Sequence, residues 1–562
     1  MYKVRHSAAH ILAQAVIRLF GKETKLAIGP VTEVGFFYDL LAPVTLKESD
    51  LASIEAEMHK IATENLTITG EQVSKEHARE IYKANPFKRE IIDRIEADTV
   101  GIYAQGEFFD LCQGGHTETT RQVQHFKLTT IAGSYWKGNK ENVQLQRISG
   151  IAFESADELA AYERQLELAK RFDHRVTGKK LGLFSFFAEA PGMVFFQPKG
   201  LIVYNLLQDY VRTLLKKYAY QEVKTPVLLK EELWHESGHY ENYKDNMFFC
   251  STNEEKYCLR PMNCPCHILL FREGLRSYRE LPLRLAEFGL VHRYELSGTL
   301  HGLFRVRSFT QDDAHVFCTE ISLKSEIRSM LAMAQEIYRK FGFSDVSIAI
   351  STRPEQSIGN DESWEKATTA LIEALQEEKL NYFVKEGEGA FYSPKIELLI
   401  KDTLGREWQC GTIQVDFSLP ERFGLTYVDA DQSRQTPIMI HRALFGSMER
   451  FLAICLEHYQ AKLPFWLAPI QIKVLTITSN QSDFAQNILE RLKNVNFRAE
   501  GDFSAETISA KIRIANLDKI PVMIVIGQKE ALAETVTIRF ADGKQLAGVT
   551  FDECLESLQR LN

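Results

Sequence analysis

The chain has 562 residues, too many for one hydrophobic core, so two to four domains are expected. With 45% apolar and 25% charged residues it has an ordinary globular composition, and no apolar run reaches the roughly 20 residues of a membrane helix. A net charge of −8 excludes a surface coated in cations, and nine irregularly spaced cysteines fit a reducing cytoplasm, not a disulfide scaffold.

In chain order, MYKVRHSAAHILAQAV lacks the apolar core and cleavage site of a secretory signal. Apolar spacing predicts helices from His6 to Phe20 and from Glu48 to Glu64, and QHFKLTTIAGSYW alternates as a strand. SADELAAYERQLELAKRFDHR (155–175) predicts a connecting helix with a serine N-cap. From Leu181 to about Trp466 there are few βα alternations, which predicts an antiparallel-rich α+β domain. After KLPFWLAP, strands and helices alternate through IKVLTI, SDFAQNILERLKNV, AETISAKIRIANLD and IPVMIVIG, as in a small α/β domain with a parallel or mixed sheet. The expected divisions are 1–152, 153–178, 179–466 and 467–562.

MNCPCHILL (262–270) places Cys264, Cys266 and His267 within four positions. A metal knuckle, a redox pair, and one ligand of a site completed elsewhere are all open from spacing alone. The richest segment is EFGLVHRYELSGTLHGLFRVRSFTQDDAHVF (287–317). It predicts a strand with Arg293 and Glu295 on one face, a loop containing Gly298 and Gly302, and a returning strand begun by RVRSF. Arginines at both ends of such a unit could grip a polyphosphate, because guanidinium is a planar fork of donors. Phe309 could stack on a base. IHRALFGSMERFLAI (440–454) predicts a helix bringing Arg450 to the same place. No GxxxxGK[ST] loop supports a Walker-type site.

The stretches RHSAAHILAQAV, DLCQGGH, DHRVTGKKLGLF, PGMVFF, MNCPCH, HRYELSG, VRSFTQDDAH, WQCGTIQVDFSLP, IHRALFGSMERF and WLAPIQIKVL together resemble the threonyl-tRNA synthetases, a class II aminoacyl-tRNA synthetase family. The resemblance implies a multidomain α+β chain: an N-terminal α+β editing domain, a linker helix, an antiparallel-sheet catalytic domain and a C-terminal α/β anticodon-binding domain. It implies ATP with Mg2+, L-threonine and tRNA(Thr) as partners, no membrane, and a homodimer formed around the segment ending at Pro226. Arg293 would take the α-phosphate, Arg305 and Arg450 the outer phosphates, and Glu295 and Phe309 the adenine. Cys264, His315 at the end of its strand, and His441 opening the last catalytic helix would hold one zinc with an open position. Asp313 and Tyr392 would hold threonine, with Gln311 and Gln414 nearby. A site that reads a hydroxyl rejects valine by roughly 10⁴–10⁵-fold. Cys266 stands where the family has glycine and is expected to be an inert buried thiol, and His267 a structural residue.

Serine shares threonine's amine and hydroxyl, and one missing methyl gives only roughly 10–200-fold discrimination. The resemblance assigns its removal to His6, His10, Lys88, Asp110, Cys112 and His116. His6, His10 and Cys-x3-His could alone read as a zinc site. HSAAH lacks the glutamate of HExxH, however, and the resemblance favours a metal-free hydrolytic pocket. His239 would assist transfer to the terminal adenosine. Arg513, Glu530 and Arg539 would contact anticodon bases, whereas Ala505 and Lys519 depart from the family's asparagine and arginine. The family often has a ubiquitin-like domain before the editing helix, and the chain resembles its short form. A noncatalytic RNA-binding paralogue would have lost an ATP arginine or a zinc ligand, and none is lost. A ligase for proline or serine would not carry the Cys264, His315 and His441 set.

Overall fold

Every residue except Lys140, Thr403 and Asn562 is described in the computed structural model, and the chain divides into the units Met1–Glu167 and Leu168–Asn562. Among the described residues no helix is long and apolar enough to cross a membrane.

In the first unit the helix Tyr2–Phe20 buries Ala8, Ile11, Leu12, Ala15 and Val16 at helical spacing. It packs with the helix Leu51–Thr63 against an antiparallel sheet ordered Lys25–Leu26, Gly35–Leu41, Gln144–Phe153, His125–Tyr135. Ile68–Ser74, Thr99–Gln105 and Phe108–Leu111 form a second antiparallel sheet. The helix expected from Glu48 begins instead as a 3-10 turn, Glu48–Asp50. The connecting segment is two helices. Ala156–Phe172 is begun by Ser155, whose Oγ accepts the Glu158 amide at 3.2 Å, and His174–Lys180 is capped by Asp173.

In the second unit eight strands form one sheet, ordered Gln221–Glu222, Leu283–His292, Ser308–Cys318, Ile438–Ser447, Glu407–Asp416, Lys395–Lys401, Val346–Ser351, Phe383–Lys385. Neighbours are antiparallel except the outermost pair at each edge. The helices Glu320–Lys340, Asp361–Glu377 and Met448–His458 pack against the sheet and share its largest apolar core. The C-terminal sheet is mixed: Ala499–Asp502, Ile472–Thr476 and Val522–Ile526 run parallel, and Val536–Phe540 and Gln545–Val549 follow antiparallel.

Four local expectations are corrected. Residues 440–454 are not one helix: Ile438–Ser447 is a strand and the helix begins at Met448. A largely apolar run such as IMIHRALF fits a helix or a strand buried on both faces, and its ladder pairing with Ser308–Cys318 on one side and Glu407–Asp416 on the other identifies the strand. His441 therefore lies on a strand, and His315 lies within Ser308–Cys318, not at its end. Arg293 and Glu295 lie beyond the strand Leu283–His292, because the Glu295 amide donates to the Arg293 carbonyl at 2.8 Å and bends the chain. The returning strand starts at Ser308, so Arg305 belongs to the loop.

Candidate active site

Strand register brings the chemistry together. Side chains alternate along Ser308–Cys318, so Gln311, Asp313 and His315 share one face. His315 pairs directly with His441, and His441 with Gln414 on its other side. Between Gln311 and Asp313 the register jumps, leaving Asp312 opposite Leu444, Phe445 and Gly446. The Asp312 carboxylate accepts those three amides at 2.9, 3.0 and 2.9 Å, replacing the lost ladder bonds. Burial pushes this carboxyl up to about 6. The bulge leads into Ser447, whose Oγ accepts the Arg450 amide at 3.1 Å and starts the helix carrying Arg450.

A cavity of about 290 Å3 is lined by all nine residues expected to bind ATP or threonine, together with Cys264, His315 and His441. Arg450 gives Nη1 to the Gln409 carbonyl at 2.7 Å and Nε to the Phe304 carbonyl at 3.0 Å. Burial lowers its pKa, and Arg293 and Arg305 lower it further. Arg293 lies 5.2 Å over the Phe309 ring, and Arg305 Nε is 3.0 Å from Glu295 Oε2. Three guanidinium groups against one carboxylate leave an excess of positive charge suited to a polyphosphate. Tyr392 donates to Gln414 Oε1 at 3.2 Å, and Asn263 Nδ2 donates to Asp313 Oδ2 at 2.8 Å.

The donor atoms of Cys264, His315 and His441 all lie within 4.8 Å of one another, and all three residues are buried. His315 Nε2 is 3.0 Å from His441 Nδ1. Each imidazole is oriented from behind. His441 Nε2 faces Asp416 Oδ2 at 3.0 Å, and His315 Nδ1 faces His267 Nδ1 at 2.8 Å. His267 Nε2 is 3.3 Å from Glu287, which is paired with Arg260 at 3.0 Å. One thiol and two imidazoles with outer hydrogen-bond partners are the donor set that zinc takes. Burial pushes the Cys264 thiol up and the His315 imidazole down. Cys266 is buried and belongs to no ligand cluster among the described residues. Asp416 and Glu287 were not anticipated, although Gln414 and Asp416, two apart on a strand, carried the signal for the first.

His239 does not line the cavity. It is fully buried behind the thiol, with Nε2 3.7 Å from Cys264 Sγ and 3.3 Å from Met262 Sδ, and burial pushes it down to about 3.

In the N-terminal unit, one helical turn sets His6 and His10 on the same face. Cys112 Sγ lies 3.3 Å from His6 Nε2 and 3.2 Å from His116 Nε2. Donor atoms of His6, His10, Cys112 and His116 fall within 4.8 Å of one another. Burial lowers all three histidine pKa values, His116 to about 2. Lys88 Nζ and Asp110 Oδ1 form a buried pair at 2.6 Å, and the Tyr38 hydroxyl, also unanticipated, bonds both residues.

The family description "Threonyl and Alanyl tRNA synthetase second additional domain" matches residues 100–149, "tRNA synthetase class II core domain (G, H, P, S and T)" matches 243–459, and "Anticodon binding domain" matches 469–561. A threonine–tRNA ligase of Thermotoga neapolitana is 48% identical over 99% of this chain and 87% of its own length, and that of Thermotoga maritima 49% over the same shares. The chain belongs to the threonine–tRNA ligase family. A solved RNA-binding domain of the threonyl-tRNA synthetase of Cryptosporidium parvum is 42% identical with a TM-score of 0.68, covering 69% of this chain and 98% of that one.

As a class II aminoacyl-tRNA ligase, the chain presents its expected anticodon residues separately. Arg513 is exposed on the helix Ile508–Leu517, and Arg539 is half-buried on Val536–Phe540. The Glu530 carboxylate caps its own helix, accepting the Gly527 amide at 3.0 Å and the Thr537 hydroxyl at 2.9 Å. None of these three residues lines the cavity that Arg293, Arg305 and Arg450 line.

Proposed function

We propose that the cleft joins threonine to ATP and then to tRNA(Thr), with Arg293 at the α-phosphate and Arg305 and Arg450 at the outer phosphates. The threonine carboxylate attacks the α-phosphorus and displaces diphosphate; a terminal hydroxyl of the tRNA then takes the acyl group from the adenylate, losing its proton and releasing AMP. This chain's contribution is positioning and charge neutralisation, which in-line displacement at phosphorus chiefly needs. Glu295 and Phe309 hold the adenine in this reading, and Gln311, Asp313, Tyr392 and Gln414 hold the amino acid. Cys264, His315 and His441 hold one zinc, which when bound supplies a Lewis-acidic centre for the amine and hydroxyl of threonine. The observation that carries the reading is the direct pairing of His315 with His441 in the cavity that Arg293, Arg305 and Arg450 also line. His239 is better explained as support for the Cys264 thiol than as a group touching tRNA.

The N-terminal pocket removes serine by hydrolysis. Neutral histidines suit the positioning of water and of the ester, and the Lys88–Asp110 pair fixes one wall. A second reading, a metal held by His6, His10, Cys112 and His116, is favoured by their closeness. The absence of any carboxylate bonded to those imidazoles among the described residues favours the metal-free one. Residues 1–152 are the editing domain, 153–178 the linker, 179–466 the catalytic domain and 467–562 the anticodon-binding domain, with Arg513, Glu530 and Arg539 reading unstacked bases. Leu201 and Ile202, exposed on the helix Pro198–Lys217, support a homodimer, and the composition supports the cytoplasm.

ATP–diphosphate exchange with threonine, serine, valine and proline tests the reading. Threonine is expected to exceed valine by roughly 10⁴-fold, and Cys264→Ala should collapse that ratio. Exchange following another amino acid, or a Cys264→Ala protein that still rejects valine, defeats it.

A further inference from the structure

His174 opens the helix His174–Lys180 and is fully buried, yet the reaction assigns it no task. Its Nδ1 lies 2.8 Å from Glu457 Oε1, and its own amide reaches that oxygen at 3.3 Å. On the opposite side the Leu303 amide donates to Nε2 at 3.0 Å. An amide is an obligatory donor, so Nε2 accepts and Nδ1 carries the proton given to Glu457. The donor atoms of Asp173, His174 and Glu457 are close enough for a metal, but Nε2 is taken by the amide and Arg175 is already paired with Asp173 at 2.6 Å. The cluster is a hydrogen-bonded clamp.

What it clamps is the turn that carries Arg305. His301 and Arg305 exchange backbone hydrogen bonds, and the Phe304 amide donates to His301. Gly302 has φ +50°, and a Cβ there would lie 2.2 Å from His174 Nε2, so the turn reaches the imidazole only because residue 302 lacks a side chain. The Phe304 ring stacks on Trp408 at 4.3 Å, and its carbonyl accepts Arg450 Nε. Arg450 and Glu457 are seven residues apart on the helix Met448–His458, two turns on one face. That helix grips the turn twice, through Arg450 on Phe304 and through Glu457 and His174 on Leu303.

We propose that His174, oriented by Glu457, is a positioning residue for ATP: it fixes the 301–305 turn so that Arg305 is presented to the outer phosphates. The inference rests on the phosphate reading of Arg305. In diphosphate exchange on the full chain, His174→Ala and Gly302→Ala should each raise KM for ATP about tenfold, the equivalent of one lost hydrogen bond. KM for threonine and zinc content should stay within about twofold in both, since neither residue touches that half of the cleft. His174→Gln, whose amide oxygen can take the Leu303 N–H, should recover most of the loss. Gly302→Ala keeps His174 and Glu457 intact, so it remains informative if His174→Ala fails to fold. An unchanged KM for ATP in both variants, or a KM for threonine rising in step, overturns the clamp. Arg305→Ala is the comparator. No effect on ATP there defeats the phosphate reading itself, whereas an effect there with none at His174 defeats only the clamp.

Discussion

Two clusters of cysteine and histidine occur among the described residues, and they are built differently. In the catalytic unit both imidazoles are backed by a group that fixes them, Asp416 behind His441 and the His267–Glu287 relay behind His315. In the N-terminal unit Nδ1 of His10 is buried without a partner, Nδ1 of His116 meets only the Ser7 hydroxyl at 3.3 Å, and the nearby carboxylate of Asp110 is committed to Lys88 and Tyr38. Donor spacing alone makes both clusters look like metal sites; the groups behind the donors separate them.

The sharpest way to break that contrast is to count metal. One zinc per chain is expected by elemental analysis, falling to none in His315→Ala and unchanged in His10→Ala. Asp416→Asn should weaken zinc by roughly 10–100-fold without removing a ligand. Two zinc ions per chain, or loss of zinc from His10→Ala, would erase the distinction.

How much of this was legible in the sequence follows the same division between donors and their supports. The returning strand expected through TQDDAH forms as Ser308–Cys318, and the strand's two-residue period sets Gln311, Asp313 and His315 on one face. IMIHRALF was ambiguous because burial on both faces removes the period that separates strand from helix. The Asp312 bulge was illegible, since a carboxylate capping three amides from residues 444–446 depends on a register that only the folded sheet defines. Glu457 and His174 are 283 positions apart, and no spacing rule reaches that far. Family resemblance supplied residue roles, but not the supports behind them.

The N-terminal pocket has its own break point in the Lys88–Asp110 pair, each side chain only 3% exposed. Lys88→Met leaves a buried carboxylate uncompensated, which costs about 3–5 kcal/mol. Release of serine from mischarged tRNA should then be lost while threonine-dependent exchange persists. Hydrogen exchange should rise in Gly35–Leu41 and Phe108–Leu111, the strands that carry Tyr38 and Asp110. The double variant Lys88→Met/Asp110→Leu should recover protection without recovering hydrolysis, because it removes the stranded charge but also the polar wall. If serine release survives Lys88→Met at full rate, the pair is structural only and the hydrolytic reading rests on the histidines alone.

The smallest expected effect sharpens the catalytic side. Glu449 is buried beneath the bulge and accepts the Thr310 amide at 3.0 Å and the Ser447 hydroxyl at 3.0 Å. Burial pushes it up to about 7, above Asp312, which has three amides and Arg442 to hold its charge. An acid whose folded pKa is raised keeps a proton that the unfolded chain has lost. Stability should therefore fall as pH rises from about 4.3, the unfolded value, to about 7, and level off above it. The whole change is on the order of 3 kcal/mol. Four of the five tryptophans, Trp234, Trp364, Trp408 and Trp466, lie in this unit, so denaturant unfolding followed by their fluorescence reports on it. Glu449→Gln cannot titrate, so its stability relative to the unsubstituted chain should rise by about that amount across the window. A difference that is flat with pH would mean the Thr310 and Ser447 hydrogen bonds hold Glu449 ionised, and that burial does not govern this side of the cleft.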